Sequence, residues 1–283
     1  MRIMVTGATG LLGQAVVREM ARRGHQVQGV STADFDLTDA PAVQAAVLAC
    51  RPEAIVHCAA YTAVDKAESD AARCMAVNAD GTRHLAQAAE QAGARLLYVS
   101  TEYVFDGAGD QPHETDEAPA PLNVYGLSKR RGEQAVLDTM THCFILRISW
   151  LFGADGGNFV RTMLRLGRER DSVRVVDDQV GAPTYAPDLA RLIADMIGTD
   201  CYGVYHAANG GECTFAGLAA AVMREAGLPC RVIPISTAEY PTAARRPLNS
   251  RLSMRSLDEN GFARLPAWED ALIRFLQEYP EIS

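Results

Sequence analysis

The stretch GATGLLG at residues 7–13 constrains this chain more than any other. It follows RIMVT (2–6), an apolar run of strand length, and it opens a segment, 11–23, whose apolar residues recur at helical spacing. Glycines at 7, 10 and 13 suit a tight strand-to-helix turn, close backbone approach to a phosphate and close helix-to-sheet contact. The helix N-terminus offers unpaired N–H groups to an anion. In this context the GxxGxxG spacing predicts a dinucleotide cradle, with Gly7, Thr9, Gly10, Leu11 and Leu12 as cofactor contacts.

The strand-helix alternation continues through QVQGV (26–30), a helix near 40–50, AIVHC (54–58), a helix over 68–92, RLLYV (95–99), a helix entered at Tyr125, and CFILRIS (143–149). The last run is continuously apolar, as suits a strand covered on both faces. The expected fold is α/β: a Rossmann-type parallel sheet with helices on both faces over 1–150, and a smaller C-terminal substrate lobe mainly from 151–283. Segments near 173–208 (VRVV, a helix at 187–197, GVYHAA) are later returns to the first unit. The final helix, WEDALIRFLQEY (268–279), places Trp268, Leu272, Phe275, Leu276 and Tyr279 at core spacing.

A formal charge of −8 argues against a general nucleic-acid or membrane-surface binder. Seven cysteines with no CxxC pair fit a reducing cytoplasm. The chain starts on a strand, without an export leader, and no run reaches membrane-spanning length, so a cytoplasmic protein is expected.

After the second strand the usual ribose-reading acid is missing; Gly29, Val30, Ser31 and Thr32 stand there. An acid would repel the extra phosphate of NADP, so NADPH or NADH can serve, NADPH being favoured, with Ser31 a contact. DFDLTD (34–39) offers Asp36 and Leu37 to the adenine, or else Thr38 or Asp39 caps the helix at Ala40-Pro41.

Ligands of an open α/β sheet lie beyond the carboxyl ends of its strands. HCAAYTAVDKAE (57–68), STEYVFDG (100–107) and LNVYGLSK (122–129) all end there. The first brings Ala59, Ala60 and Tyr61 to the cofactor and Val64 to the substrate. Thr101 follows strand four, and Tyr125 and Lys129 share a helix face four residues apart. A hydroxyl bonding a carbonyl, a phenol protonating it and a lysine easing the phenol's ionisation make a carbonyl-reducing set.

These motifs resemble the extended short-chain dehydrogenase/reductases and, within them, the dTDP-4-dehydrorhamnose reductases. The similar segments run from AAYTAVDKAE (59–68) through ST-x-YVF (100–105), PLNVYGLSK (121–129), RISWLFG (147–153), NFVRTMLRL (158–166) and DDQVGAPT (177–184) to RRPLNSRLS (245–253). The resemblance implies an enzyme that reduces the 4-keto group of a deoxythymidine-diphosphate sugar with hydride from a nicotinamide; a monomer or homodimer is expected. Tyr125 donates the proton, Thr101 orients the carbonyl, and Lys129 tunes the phenol and holds the cofactor ribose. Glu102, Trp150 and Asn158 fall on the sugar side. The arginine-rich stretch 240–257 offers Arg246 and Arg251, with Asn249 between them, to the substrate diphosphate.

Two departures stand out. Glu102 occupies a position where the family commonly carries Asp. Ala15 and Pro187 occupy positions where some members place metal-bridging glutamates, so no metal is expected. Three rival readings remain at this point: a reductase of another nucleotide-linked 4-keto-6-deoxy sugar, a 4,6-dehydratase or epimerase holding NAD, and a non-catalytic subunit resembling the beta subunit of methionine adenosyltransferase.

Overall fold

The runs read as strands pair into one parallel sheet, and the helices between them cover both of its faces. A computed structural model describes residues 1–279. In chain order its first elements are β1 (Arg2–Thr6), α1 (Leu11–Arg22), β2 (Gln26–Val30), α2 (Ala40–Cys50), β3 (Ala54–His57), α3 (Val64–Ala67), α4 (Ala71–Met75), α5 (Gly81–Ala92), β4 (Arg95–Thr101), α6 (Val124–Thr139) and β5 (Cys143–Ile148). Then come β6 (Leu151–Phe152), α7 (Phe159–Glu169), β7 (Ser172–Val176), β8 (Val180–Gly181), β9 (Thr184–Tyr185), α8 (Ala186–Met196) and β10 (Gly203–Ala207). The chain finishes with β11 (Asn209–Gly210), β12 (Cys213–Thr214), α9 (Phe215–Glu225), β13 (Arg231–Ile235), β14 (Asn249–Ser250), α10 (Arg255–Glu259), β15 (Leu265–Ala267) and α11 (Trp268–Glu278).

Six of these strands form the main sheet in the order β2-β1-β3-β4-β5-β10, and every pairing is parallel. The order reverses between β1 and β3, and at such a switch point the loops after the two strands part and leave a crevice. On one face α1 and α8 bury Val16, Met20, Leu189 and Ile193 against Ile3, Val5 and Phe144. On the other, α2, α5 and α6 bury Val43, Leu85 and Val136 against Met4, Ile55 and Ile145. Phe144, Ile145 and Leu146 are all fully buried, which is why β5 reads as an unbroken apolar run.

A second core lies among α7, α9 and α11, where Phe152, Tyr185 and Phe275 pack together. The parallel pair β7–β13 flanks it. Part of the later chain returns to the main sheet, β10 pairing with β5 and α8 packing on α1, whereas VRVV, expected to return with them, forms β7 and pairs with β13 beside the second core. Among the described residues no helix is long and apolar enough to cross a membrane.

The helix expected over 68–92 is interrupted. It starts as the short α4, widens into a π turn over Ala76–Asp80 and resumes as α5. The side chain of Asn78, in the widened turn, accepts from the Tyr61 amide at 2.7 Å and donates to the Tyr61 carbonyl at 3.0 Å and the Ser128 hydroxyl at 2.9 Å. These bonds draw the helix wall toward the loop after β3 and toward α6. A π turn supplies the extra residue such a bulge needs.

Candidate active site

The cleft at the switch point has a volume of about 770 Å³ and is walled by the loops after β1, β2, β3 and β4, by α6 and by the second lobe. Its floor is the glycine turn. Gly7 has φ +66°, and its amide neighbour Ala8 donates to the Val30 carbonyl at 3.1 Å. A Cβ on Gly13 would stand 2.0 Å from the Gly7 carbonyl oxygen, so only glycine lets α1 start so close to β1. Gly10 caps α1 without a side-chain hydrogen bond, leaving first-turn N–H groups to meet an anion. The turn therefore fits the pyrophosphate of a dinucleotide.

The chemistry sits opposite, where β4 ends and α6 begins. Asn123 caps α6 by accepting from the Gly126 amide at 2.8 Å, and its amide group donates to the Arg245 carbonyl at 2.8 Å. A Cβ on Gly126 would fall 2.1 Å from the Tyr103 carbonyl oxygen, so the absent side chain lets the 3₁₀ turn after Thr101 lie directly on the first turn of α6. That contact brings Thr101, Glu102 and Tyr125 onto one wall, and Lys129 follows one helical turn later. Tyr103 packs edge-on against Tyr125, with ring centroids 5.6 Å apart.

Thr101 donates its hydroxyl to Glu102 at 2.7 Å. Burial lifts the Glu102 carboxyl from 4.5 to about 7, the Thr101 hydrogen bond pulling the other way. The Tyr125 phenol is pushed well above its ordinary value, first by burial and then by the charges of Glu102 and Tyr103, with the Thr101 hydroxyl again opposing. These effects outweigh whatever easing of its ionisation Lys129 supplies. In the structure the Lys129 ammonium donates to the Val99 carbonyl at 2.8 Å and lies 4.0 Å from the Tyr98 ring centre. Burial brings Lys129 itself down to about 7, while Glu133 raises it.

Most residues named from the sequence meet at this cleft: Gly7, Thr9, Gly10, Leu11, Leu12, Ser31, Leu37, Ala59 and Ala60 on the floor and far end, and Val64, Thr101, Glu102, Tyr125, Lys129 and Trp150 around the reaction end. Trp150 is more than core filler. It lines the cleft, stacks on Phe215 at 3.8 Å and adopts φ +44°, a costly conformation for a bulky residue.

Six others do not line it. Asp36 spends its carboxylate on the Thr38 amide and hydroxyl and on Arg73, while Asp39 is the N-cap of α2. The Tyr61 hydroxyl donates to Asp70 at 3.1 Å. Asn158 caps α7 and donates to the Gly153 carbonyl, so its polar atoms are engaged in holding that helix start. Asn249, 2% exposed, donates to the Gln111 carbonyl and accepts from Arg251. Arg251 is paired with Glu212 at 2.6 Å. Arg246 is paired with Asp65 at 2.7 Å, next to the cleft-lining Val64.

Sequence reasoning missed Asp34, whose carboxylate accepts from the Ser31 amide at 2.8 Å and the Ser31 hydroxyl at 3.1 Å. An acid thus stands beside Ser31, just beyond the positions Gly29 to Thr32 where it was sought. Also missed were Phe159 and Phe215, which wall the cleft from the second lobe. Only long-range packing brings them there.

A model of the family described as RmlD substrate binding domain matches residues 1–281. The dTDP-4-dehydrorhamnose reductase of Streptomyces griseus is 44% identical over 278 residues, covering 96% of this chain and 91% of that protein. The enzyme of the same description from Escherichia coli K12 is 39% identical over 292 residues, covering 98% of each. Among solved structures, the dTDP-4-dehydrorhamnose reductase of Bacillus anthracis in complex with NADP superposes with a TM-score of 0.96 at 42% identity, covering 98% of this chain and 99% of that one. The likeness extends through both lobes and includes the cleft between them, and the chain belongs to the dTDP-4-dehydrorhamnose reductase family.

Proposed function

We propose that this chain reduces the 4-keto group of dTDP-4-dehydro-L-rhamnose to give dTDP-L-rhamnose, using NADPH or NADH. The observation that carries the reading is the meeting of Thr101, Tyr125 and Lys129 on one wall of the cleft whose floor is the glycine turn. A dinucleotide bound there supplies hydride to the carbonyl carbon. The Gly7–Gly13 turn and the start of α1 hold its pyrophosphate, and Lys129 holds the nicotinamide ribose.

Tyr125 gives its proton to the oxygen as negative charge develops there. Its raised pKa keeps the phenol protonated at neutral pH, ready to donate. Thr101 holds the carbonyl oxygen beside the phenol. Trp150, Phe159 and Phe215 form an apolar wall for the sugar ring, and closing that wall excludes water from the reaction. Residues 151–283 supply most of this substrate lobe, and seven free cysteines suit a reducing cytoplasm.

A metal takes no part in this reading, since Ala15 and Pro187 carry no ligand atoms. The protein works as a monomer or homodimer. Glu102, one carbon longer than the aspartate common at its position, favours one second reading: a related nucleotide-linked 4-keto-6-deoxy sugar. The test follows loss of reduced-nicotinamide absorbance with dTDP-4-dehydro-L-rhamnose, for wild type and Tyr125→Phe. Turnover that collapses in the variant supports the proposal. Folded protein that binds dinucleotide but turns over only another keto sugar assigns the second reading.

A further inference from the structure

Behind the reactive wall lies a buried charge network that none of the roles above uses. Glu133 stands one turn beyond Lys129 on α6 and is fully buried. Its carboxylate accepts from the Ser100 hydroxyl at 2.6 Å and takes the Arg147 guanidinium as a two-pronged pair at 2.8 and 2.9 Å. Arg130 adds a contact at 3.1 Å from the half-exposed side. Arg147, on β5 and 3% exposed, also donates to the Thr115 carbonyl at 3.2 Å. Ser100 lies between Val99, whose carbonyl receives the Lys129 ammonium, and Thr101. One carboxylate therefore grips β4 at the residue between the two groups that the reaction needs placed.

We propose that Glu133 is a positioning residue for the reduction: clamped by Arg147 and Ser100, it fixes the end of β4 and supplies the nearby negative charge that keeps the buried Lys129 ammonium a cation. This rests on the reductase reading for its consequence in turnover, but not for its effect on Lys129.

The surroundings of Lys129 leave few other candidates for that charge. From α6 it is faced by Glu133, from β4 by the Tyr98 ring, from β3 and its loop by His57 and Cys58, and from α4 by Cys74. Burial holds the His57 imidazole neutral, down to about 3, and pushes the Cys58 thiol up to about 12, so neither carries charge at neutral pH. Burial also drags Lys129 to about 7, the edge of the neutral range, and the Glu133 carboxylate one turn along the helix opposes it. Without that carboxylate, Lys129 loses its proton at lower pH.

The composition makes this directly measurable. Lys66 and Lys129 are the only lysines in 283 residues. Full-length protein labelled with [¹³Cε]lysine gives two signals, and Lys66→Arg assigns them. In Glu133→Gln the Lys129 midpoint is expected at least about one pH unit below wild type. The alkaline limb of kcat should move down with it, while the KM for the sugar changes less than about threefold. Glu133→Asp, which keeps a carboxylate on the same helix face, should restore most of the midpoint.

Because glutamine leaves the Arg147 guanidinium without a counter-charge, Glu133→Gln/Arg147→Gln provides a second variant that removes both charges, and the Lys129 midpoint should fall in it as well. A folded Glu133→Gln or double variant whose Lys129 titrates as in wild type overturns the inference, whatever its activity. A shifted midpoint in protein that never turns over the sugar upholds the role of Glu133 and sinks the reductase reading instead.

Discussion

Tyr125 illustrates how little a residue's spacing says about its chemistry until its surroundings are known. Its i,i+4 partner lysine was expected to make the phenol easier to ionise, but burial and the Glu102 carboxyl beside it act in the opposite sense. The phenol is therefore a stored proton, and Tyr125→Phe should lower kcat by about 10²- to 10⁴-fold while dinucleotide affinity stays within a few-fold. Steady-state kinetics beside fluorescence titration with NADPH checks both. Glu102 leaves a thermodynamic trace. Its folded-state carboxyl is raised from 4.5 to about 7, so the stability it contributes is complete below about 4.5 and is lost as pH rises through 7. Between pH 5 and 8 wild type should lose about 3 kcal/mol more unfolding free energy than Glu102→Gln, read by urea melts. Asp34 bears on cofactor choice. If the cofactor ribose reaches Ser31, the Asp34 charge beside it would disfavour a 2′-phosphate, and Asp34→Asn should raise the NADPH-to-NADH ratio of kcat/KM about three- to tenfold.

At the scale of elements, the start of α6 is the part on which the site depends. Gly126→Ala would force its Cβ into the Tyr103 carbonyl, and the helix would have to back away, taking Tyr125 with it. A loss of about 1–3 kcal/mol in stability is expected, with a larger fractional loss in kcat than in dinucleotide binding, measured by thermal melts and turnover on one preparation. The strands and most helices were legible in the sequence because their apolar periodicity reports a two-sided burial that the fold then imposes. The stretch 68–92 was not, since the tertiary bonds of Asn78, and not its local sequence, set the π turn. Bonds to backbone carbonyls also engage Asn158 and Asn249. Their family-like surroundings suggested ligand contacts, whereas their amides hold a helix start and a loop.

For the whole molecule, the cleft's two halves differ in how they could be read. The glycine turn and the Tyr–Lys helix are short-range patterns tied to the ends of strands, so sequence alone brought them to one edge. The wall facing them is made by Trp150, Phe159 and Phe215, which meet only when α7 and α9 pack together. Its aromatic character was visible, but its assembly was not. The fold also bears on metal dependence: Ala15 is buried on α1, against α8, whose first turn holds Pro187. Activity should therefore survive exhaustive chelation and gain nothing from magnesium, checked by assay before and after dialysis against EDTA.

The late return of β10 has a consequence for how the molecule is made. Its partner β5 ends at Ile148, and the intervening residues 149–202 must be synthesised before β10 exists to cover that edge. At about 5–20 residues per second, the apolar flank of β5 stays open for roughly 3–10 s on every ribosome. That interval is an opportunity for wrong strand pairing. Nascent chains halted within 149–202 should be the ones that chaperones hold, and release should follow once Ala207 has emerged.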